Sequence, residues 1–108
     1  MGLYLYIGSY SAEGVKGVVA EGGRKREAET RKLVKSVGGK ILQYLFAVGE
    51  FDFIIVAEMP DDQAAVVAPM LACATGTVHV KTTKLLTAAE MDEVCEAARK
   101  RSFRAPGT

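Results

Sequence analysis

The alternation of apolar and polar positions along the chain predicts four β-strands. The first is the segment LYLYIGSY, residues 3–10, in which aliphatic residues alternate with tyrosine and glycine. The other runs rich in β-branched and aromatic residues are KILQYLFAV (40–48), FDFIIVAEM (51–59) and TVHVKTTKLL (77–86). Only Gly49 and Glu50 separate the second run from the third, so we expect a hairpin there.

Helical patterns fill the intervals between these strands. The helical segments are residues 12–20, 23–37, 60–76 and 88–101. Ser11 is a predicted N-cap, Gly38 and Gly39 are predicted to end the second helix, and Pro69 should kink or split the third. The segment that begins at Thr87 has the Thr-x-x-Glu pattern of a capping box.

The order of elements predicts the fold class. Strand, helix, strand, strand, helix, strand and a further helix form an α+β, ferredoxin-like βαββαβ arrangement with an extra C-terminal helix. Such a fold has an antiparallel sheet with its helices on one face. We expect a single domain over residues 1–102 and a flexible tail over residues 103–108.

The sheet face opposite the helices is predicted to be too apolar to meet water. The apolar residues that we assign to it are Tyr4, Tyr6, Leu42, Tyr44, Phe46, Ile54 and Val56. The polar residues that we place around them are Asp52, Glu58, His79, Lys81 and Thr83. A monomer would expose several hundred Å² of apolar sheet, so we expect a second copy of the chain to cover it, in a homodimer or a higher homo-oligomer.

Composition narrows the range of partners. The chain has 108 residues, 49% of them hydrophobic and 25% charged, with a net charge of +1. That charge gives no general attraction to nucleic acid, and no apolar run approaches the roughly 18 residues needed to span a bilayer. The N-terminal segment lacks the pattern of a signal peptide, so we expect a cytoplasmic protein.

The few cysteine and histidine residues do not predict a metal centre or a cofactor. Cys73 and Cys95 lie in predicted helices, with no Cys-x-x-Cys motif and no ligand-type spacing to His79, the only histidine. We expect both cysteines to be free, buried thiols.

Asp52 is the sharpest candidate for chemistry, because it precedes an apolar strand. A structural role is the stronger interpretation, in which its carboxylate accepts backbone hydrogen bonds beside the hairpin turn. Glu58 lies six residues later and faces the same way, but about 20 Å distant by strand rise. The two acids therefore cannot form a catalytic carboxylate pair within one chain.

His79 and Lys81 share a face of the fourth strand and could present an acid and a base to a cavity, although structural roles are the simpler interpretation. Tyr4, Tyr6 and Tyr44 could line a ligand pocket or belong to the core. The full set of candidate ligand-binding residues is Tyr4, Tyr6, Tyr44, Asp52, Glu58, His79 and Lys81, and no catalytic residue is assigned.

Three segments resemble the GYD domain family. They are YIGSYSAEGVKGV, GGKILQYLFAVGEFDFIIVAEMPDDQAA and GTVHVKTTKLLTAAE, and the resemblance covers roughly residues 3–90. The family is named for a Gly-x-Tyr-Asp signature, which here reads Gly49 to Asp52 with Phe51 in the tyrosine position. His79 lies where the family commonly has a basic residue. The resemblance implies a fold similar to that of the dimeric α/β barrel proteins and implies no particular reaction.

Two functional hypotheses follow. The leading one is a non-catalytic homo-oligomeric module that binds a small molecule between sheet and helices. The alternative is a cofactor-independent small enzyme of the monooxygenase or isomerase type, by analogy with other dimeric α/β barrels. The two hypotheses differ in whether the cavity between the sheet and the helices contains an acidic or basic side chain that is ready for proton transfer.

Overall fold

The computed structural model describes residues 1–108 and contains four strands and four helices. The strands are β1 (Gly2–Tyr10), β2 (Lys40–Phe46), β3 (Phe53–Met59) and β4 (Val78–Leu85), and the helices are α1 (Ala12–Glu21), α2 (Gly23–Ser36), α3 (Asp62–Ala74) and α4 (Ala88–Arg99). The strands form one antiparallel sheet in the order β2-β3-β1-β4. The predicted α+β class and ferredoxin-like order are confirmed.

Short polar side chains begin three of the helices. The Ser11 hydroxyl accepts a hydrogen bond from the amide of Gly14 at 3.3 Å, and the Asp61 carboxylate accepts one from the amide of Ala64 at 2.8 Å. Thr87 begins α4 with the predicted capping box. These side chains satisfy amides that have no partner inside a helix, so they set where each helix starts.

The predicted end of α2 at paired glycines is also confirmed. Gly38 has a φ of 85°, a left-handed conformation that glycine adopts without steric cost. Its amide donates to the carbonyl of Lys35 at 3.0 Å, and the amide of Gly39 donates to the carbonyl of Val34 at 2.9 Å. The chain therefore turns directly from α2 into β2.

The hydrophobic core lies between one face of the sheet and the helices α2 and α3. Its residues are Tyr4, Tyr6, Val34, Ile41, Phe53, Ile55, Ala57, Met59, Ala65 and Ala68. The Phe53 ring lies over Gly8, where an added β-carbon would come within 2.0 Å of a ring atom. Since α3 presents alanine to the sheet, the strands supply most of the bulk of the core.

The prediction that Tyr4 and Tyr6 face away from the helices was wrong. Each is 4% exposed, and the register places them beside Ala57 and Ile55 on the core face. The alternation of residues along β1 could not show which of its faces is buried, because aliphatic residues fill the positions between the tyrosines. The small side chains of α3 decided it, since they leave room above the sheet for two tyrosine rings.

A β-bulge places Tyr44 and Phe46 on the helix face as well, against the prediction. The register of β2 against β3 shifts between Ile41 and Gln43. A bulge reverses which of the following positions face the core. The Tyr44 ring therefore stacks on that of Phe53, with centroids 6.4 Å apart.

The opposite face of the sheet, called the open face below, has no helix packed on it. Its apolar residues are Leu3, Leu5, Ile7, Leu45, Ile54 and Val56. Ile54 and Val56 were predicted there and are confirmed. The aliphatic residues of β1 lie on this face, where Tyr4 and Tyr6 were predicted.

Pro69 lies inside α3, which runs unbroken from Asp62 to Ala74, so the predicted split does not occur. Proline has no amide hydrogen and leaves the carbonyl four residues before it without its helical partner. That carbonyl belongs to Ala65, and the Tyr6 hydroxyl donates a hydrogen bond to it at 2.8 Å. The tyrosine on the sheet thus supplies the donor that the helix lacks.

Helix α4 projects away from the rest of the fold. None of its residues is buried, and the chain measures 57 × 33 × 22 Å with a radius of gyration of 17.2 Å. A compact domain of this length has a radius of about 13 Å. Cys95 on α4 is consequently exposed and Cys73 on α3 is half-buried, so the prediction of two buried thiols was wrong. None of the four helices combines the length and the apolar character that crossing a membrane would require.

The pairing of Tyr6 with Ala65 predicts a thermodynamic coupling between Tyr6 and Pro69. Tyr6→Phe should lower the free energy of unfolding by about 1 to 3 kcal/mol, because it leaves a buried carbonyl without a donor. In a Pro69→Ala background the restored amide serves that carbonyl, and the cost of Tyr6→Phe should fall by about 1 kcal/mol. Urea denaturation of the four proteins measures the coupling. Equal costs in both backgrounds would show that the hydroxyl does not replace the missing amide.

Candidate functional site

The sheet separates the predicted ligand-binding residues into two groups. Tyr4, Tyr6 and Tyr44 lie on the helix side of the sheet, whereas Glu58, His79 and Lys81 lie on the open face. The structure therefore has two candidate sites in place of the single one expected. One is a cleft between helices, and the other is a depression on the open face.

The cleft lies between α2 and α3, above the middle of the sheet. Helix α2 packs over β2, and α3 packs over β3 and β4, so the space between the helices remains open. An inner cavity of about 50 Å³ adjoins an outer one of about 270 Å³. Residues that line both are Thr30, Leu33, Phe53 and Ala72.

The cleft is apolar at its floor and polar at its mouth. Tyr6, Ile55 and Val80 contribute to the inner cavity, while Arg26 and Glu29 stand at the mouth. Additional residues of the outer cavity are Tyr10, Leu71, Thr75, Thr77 and Val78. This gradient matches that of a small-molecule pocket, in which an apolar body is buried and a few polar groups fix its orientation.

Arg26 is the charged group best placed to meet a ligand at the mouth. Its Nη1 lies 3.1 Å from Oε1 of Glu21, and both side chains are partly shielded from solvent. A guanidinium carries five N–H donors, so one ion pair leaves several of them available. The mouth can therefore bind a carboxylate or another anionic group.

The tyrosine hydroxyls of the cleft remain protonated at neutral pH. Burial raises the pKa of Tyr6 to about 12, and its proton is directed to the carbonyl of Ala65. Burial also raises the pKa of Tyr10, with a further contribution from Tyr44. Both hydroxyls consequently act as hydrogen-bond donors and not as bases.

Asp52 holds the hairpin against the end of β1. Its Oδ2 accepts a hydrogen bond from the amide of Tyr10 at 2.8 Å. Its own amide donates to the carbonyl of Gly8, and its carbonyl accepts from the amide of Ala47, both at 2.8 Å. The backbone-binding role predicted for this carboxylate is thus observed. Glu58 lies near the other end of β3, and the two acids do not meet.

The second candidate site is a depression of about 220 Å³ on the open face, lined in part by His79 and Lys81. The structure therefore places these two residues together, as their shared strand face predicted. Glu50 and Phe51, from the loop between β2 and β3, form its other wall. Sequence reasoning missed this wall, although Phe51 occupies the signature position of the resemblance described above.

A third polar cluster joins Tyr4, Asp62 and Lys84. The Tyr4 hydroxyl donates to Oδ1 of Asp62, and Nζ of Lys84 lies 3.2 Å from the same oxygen. The bond to Asp62 raises the pKa of Tyr4 and lowers that of Asp62, while Asp62 raises the pKa of Lys84. All three groups are thereby held in their neutral-pH protonation states, and the cluster fastens the start of α3 to the sheet.

No local motif could have revealed that cluster. Tyr4 and Asp62 are 58 positions apart, and Tyr4 and Lys84 are 80 apart. Only the pairing of β1 with β4 and the packing of α3 bring them together. The structure contains no group of three or more His, Cys, Asp or Glu residues arranged to hold a metal ion.

Comparison with known proteins matches the chain to a protein family. A family model described as the GYD domain matches residues 4–95 of the chain. No curated protein and no solved structure gives a significant match. The match begins at Tyr4 in β1 and ends at Cys95 in α4, so it covers both candidate sites.

The contacts of Asp52 predict a loss of stability when its carboxylate is removed. Asp52→Ala should lower the free energy of unfolding by about 1 to 2 kcal/mol, because the amide of Tyr10 loses its acceptor. Glu50→Ala is the matched control, since it removes an exposed acid of the same loop and should change stability by less than about 0.5 kcal/mol. Thermal or urea denaturation measures both. Equal stability of the two variants would contradict the structural role.

Proposed function

The chain belongs to the GYD domain family, and from this premise we propose that it is a non-catalytic homo-oligomeric module that binds a small molecule in the cleft between α2 and α3. The observation that carries the proposal is the cleft itself, which is open and apolar at its floor with a charged mouth. Its place between sheet and helices is the one that the sequence pattern indicated for a ligand.

The cleft defines the chemistry of its ligand. An engineered apolar cavity of roughly 150 Å³ accommodates benzene, and drug-sized ligands occupy roughly 300 Å³ or more. The outer cavity of about 270 Å³ therefore suits a molecule with one aromatic ring or a short branched aliphatic body. A carboxylate or similar anionic group on that molecule would face Arg26.

The protonation and hydrogen bonding of the polar groups in the cleft favour binding over catalysis. Tyr6, the hydroxyl nearest the floor, donates to Ala65 and has its pKa raised to about 12. A general base must be unprotonated near the working pH. The monooxygenase or isomerase alternative requires a poised proton acceptor, whereas the floor of the cleft offers a donor that is already bonded.

The open face supports the homo-oligomeric part of the proposal. Its six aliphatic residues, defined above, form one surface across three adjacent strands. Charges of both signs border it, with Lys40 opposite Glu58 on neighbouring strands and His79 and Lys81 near Glu50. A surface with both signs at its rim can pair with itself about a two-fold axis. Such pairing contributes roughly 25 cal/mol for each Å² of apolar area removed from water.

The ligand proposal predicts that filling the cleft abolishes binding. Benzoate, a one-ring anion, should shift the amide NMR signals of α2 and α3 in the wild-type protein. Ala72→Phe fills the space shared by both cavities and should weaken benzoate binding at least about tenfold. Ala20→Phe, at an exposed position of α1, should leave binding unchanged. Benzyl alcohol should bind more weakly than benzoate, because it lacks the charge that Arg26 recognises.

Two results would contradict the ligand proposal. One is a wild-type protein whose α2 and α3 signals do not respond to benzoate and which carries no small molecule in native mass spectrometry. The other is equal affinity of wild type and Ala72→Phe, which would place the ligand elsewhere. The depression beside His79 and Lys81 would then be tested next, through loss of anion binding in the double alanine variant.

The oligomer proposal predicts that one charge at the centre of the open face separates the subunits. Leu5→Glu places a carboxylate in the middle of the aliphatic surface and should reduce the mass of the assembly in sedimentation velocity. Val19→Glu is the control, because Val19 is 80% exposed on α1, away from that face. An unchanged mass for Leu5→Glu would show that the open face is not the contact.

A further inference from the structure

Helix α4 has an apolar stripe that is not buried within its own chain. Met91, Val94, Cys95 and Ala98 follow one another at helical spacing and so share one side of the helix. Met91 is 47% exposed and Val94 is 48% exposed. An amphipathic helix of this kind normally buries its stripe against another element.

The sequence of α4 gives it too little stability to exist as an isolated arm. It has 12 residues, and isolated helices of fewer than about 12 to 15 residues are marginal in water. Its capping box at Thr87 and its exposed Glu96–Arg99 ion pair each add only weak stabilisation. The remaining stabilisation has to come from packing of the stripe.

Helix α3 has a matching surface that is also uncovered. Its outer side, opposite the sheet, carries Val66 and Met70, which are 50% and 66% exposed. No Asp, Glu, Lys or Arg occurs from Gln63 through Val78. A helix that is apolar on all sides is typically buried on all sides, but here only the inner side is covered.

The two surfaces do not meet within one chain. Only Leu86 and Thr87 separate β4 from α4, and the amide of Thr87 is bonded to the Glu90 side chain at 2.9 Å. Helix α4 leaves the end of β4 through this short, capped connection, and none of its residues is buried. Another molecule must therefore supply the surface that α4 covers.

The charges of the helices favour a second copy of the chain as that molecule. Helix α4 has four acidic residues and one basic residue, a net charge of −3, whereas α2 has six basic and two acidic residues, a net charge of +4. Since α2 lies beside α3 in the helix layer, a helix that docks on α3 also approaches α2. The chain thus carries both halves of one contact, an acidic helix with an apolar stripe and an apolar helix beside a basic one.

We propose that α4 of one copy docks on the outer side of α3 of a second copy, with its stripe against Val66 and Met70 and its acidic residues toward α2. The exchange is reciprocal, so each pair of copies forms the contact twice. It uses a different surface from the open face, and its outcome is independent of whether the cleft binds a ligand. With both kinds of contact present and their two-fold axes perpendicular, the assembly closes at four copies.

The test compares two double substitutions on α4 that add the same charge. Met91→Glu with Val94→Glu disrupts the stripe, whereas Ala89→Glu with Ala97→Glu places the two acids outside it. Neither pair touches the core, so both proteins should fold. Sedimentation velocity should show a halved mass for the stripe variant and an unchanged mass for the control. The dissociation constant of the contact should rise at least about a hundredfold.

A complementary pair of substitutions tests the other half of the contact. Val66→Lys with Met70→Lys on α3 should also halve the mass. An equimolar mixture of this variant with the stripe variant should recover association. In the mixed pair one contact has glutamates facing lysines, and the reciprocal contact joins a wild-type α4 to a wild-type α3. In the wild-type protein Cys95 should react slowly with N-ethylmaleimide, and in the stripe variant it should react at the rate of a free thiol.

Three results would overturn the inference. One is an unchanged mass for the stripe variant, and another is a fast-reacting Cys95 in the wild-type assembly. The third is a halved mass for the stripe variant together with an unchanged mass for the α3 variant, which would show that α4 pairs with something other than α3. Leu5→Glu tests only the contact through the open face. Failure of the open-face proposal is therefore distinguishable from failure of the proposed contact between α4 and α3.

Discussion

The hydrogen bond from Tyr6 to the carbonyl of Ala65 is the contact on which the helix layer depends. Pro69 removes the amide that would normally bind this carbonyl, and a buried carbonyl without a donor is costly. The sheet therefore has to supply the donor, which fixes α3 at a definite place above β1. Alanine on the inner side of α3 permits this close approach. Because α3 is held over β3 and β4 and α2 over β2, the cleft between them stays open.

The same molecule leaves much of its apolar surface unused. Only 13 of its 108 residues are buried, and small domains often gain the remaining burial by association. The open face, the outer side of α3 and the stripe of α4 are three such surfaces. Each is apolar and bordered by charges present elsewhere in the chain, which is why copies of the chain are the partners that we propose for them. Ligand binding is a separate property, since the cleft is formed within one chain.

Local signals in the sequence were sufficient for the order of elements and for several boundaries. Ser11, Gly38 and the capping box at Thr87 act through residues within four positions of themselves, so their roles could be read directly. Asp52 was assigned correctly for the same kind of reason, because a short carboxylate beside a turn seeks backbone amides. Its partner, the amide of Tyr10, is 42 positions away and could not be named in advance.

What the sequence determined by itself was the alternation of strands and helices and the presence of apolar side chains on both faces of β1. Tertiary structure decided which face became the core. The alternation of residues along a strand shows neither the space left by the alanines of α3 nor the bulge in β2. The candidate ligand set was divided for this reason, with Tyr4, Tyr6 and Tyr44 on one side and His79 with Lys81 on the other. Contacts between positions far apart in the sequence depend on how whole helices and strands pack, and local sequence patterns do not show that packing.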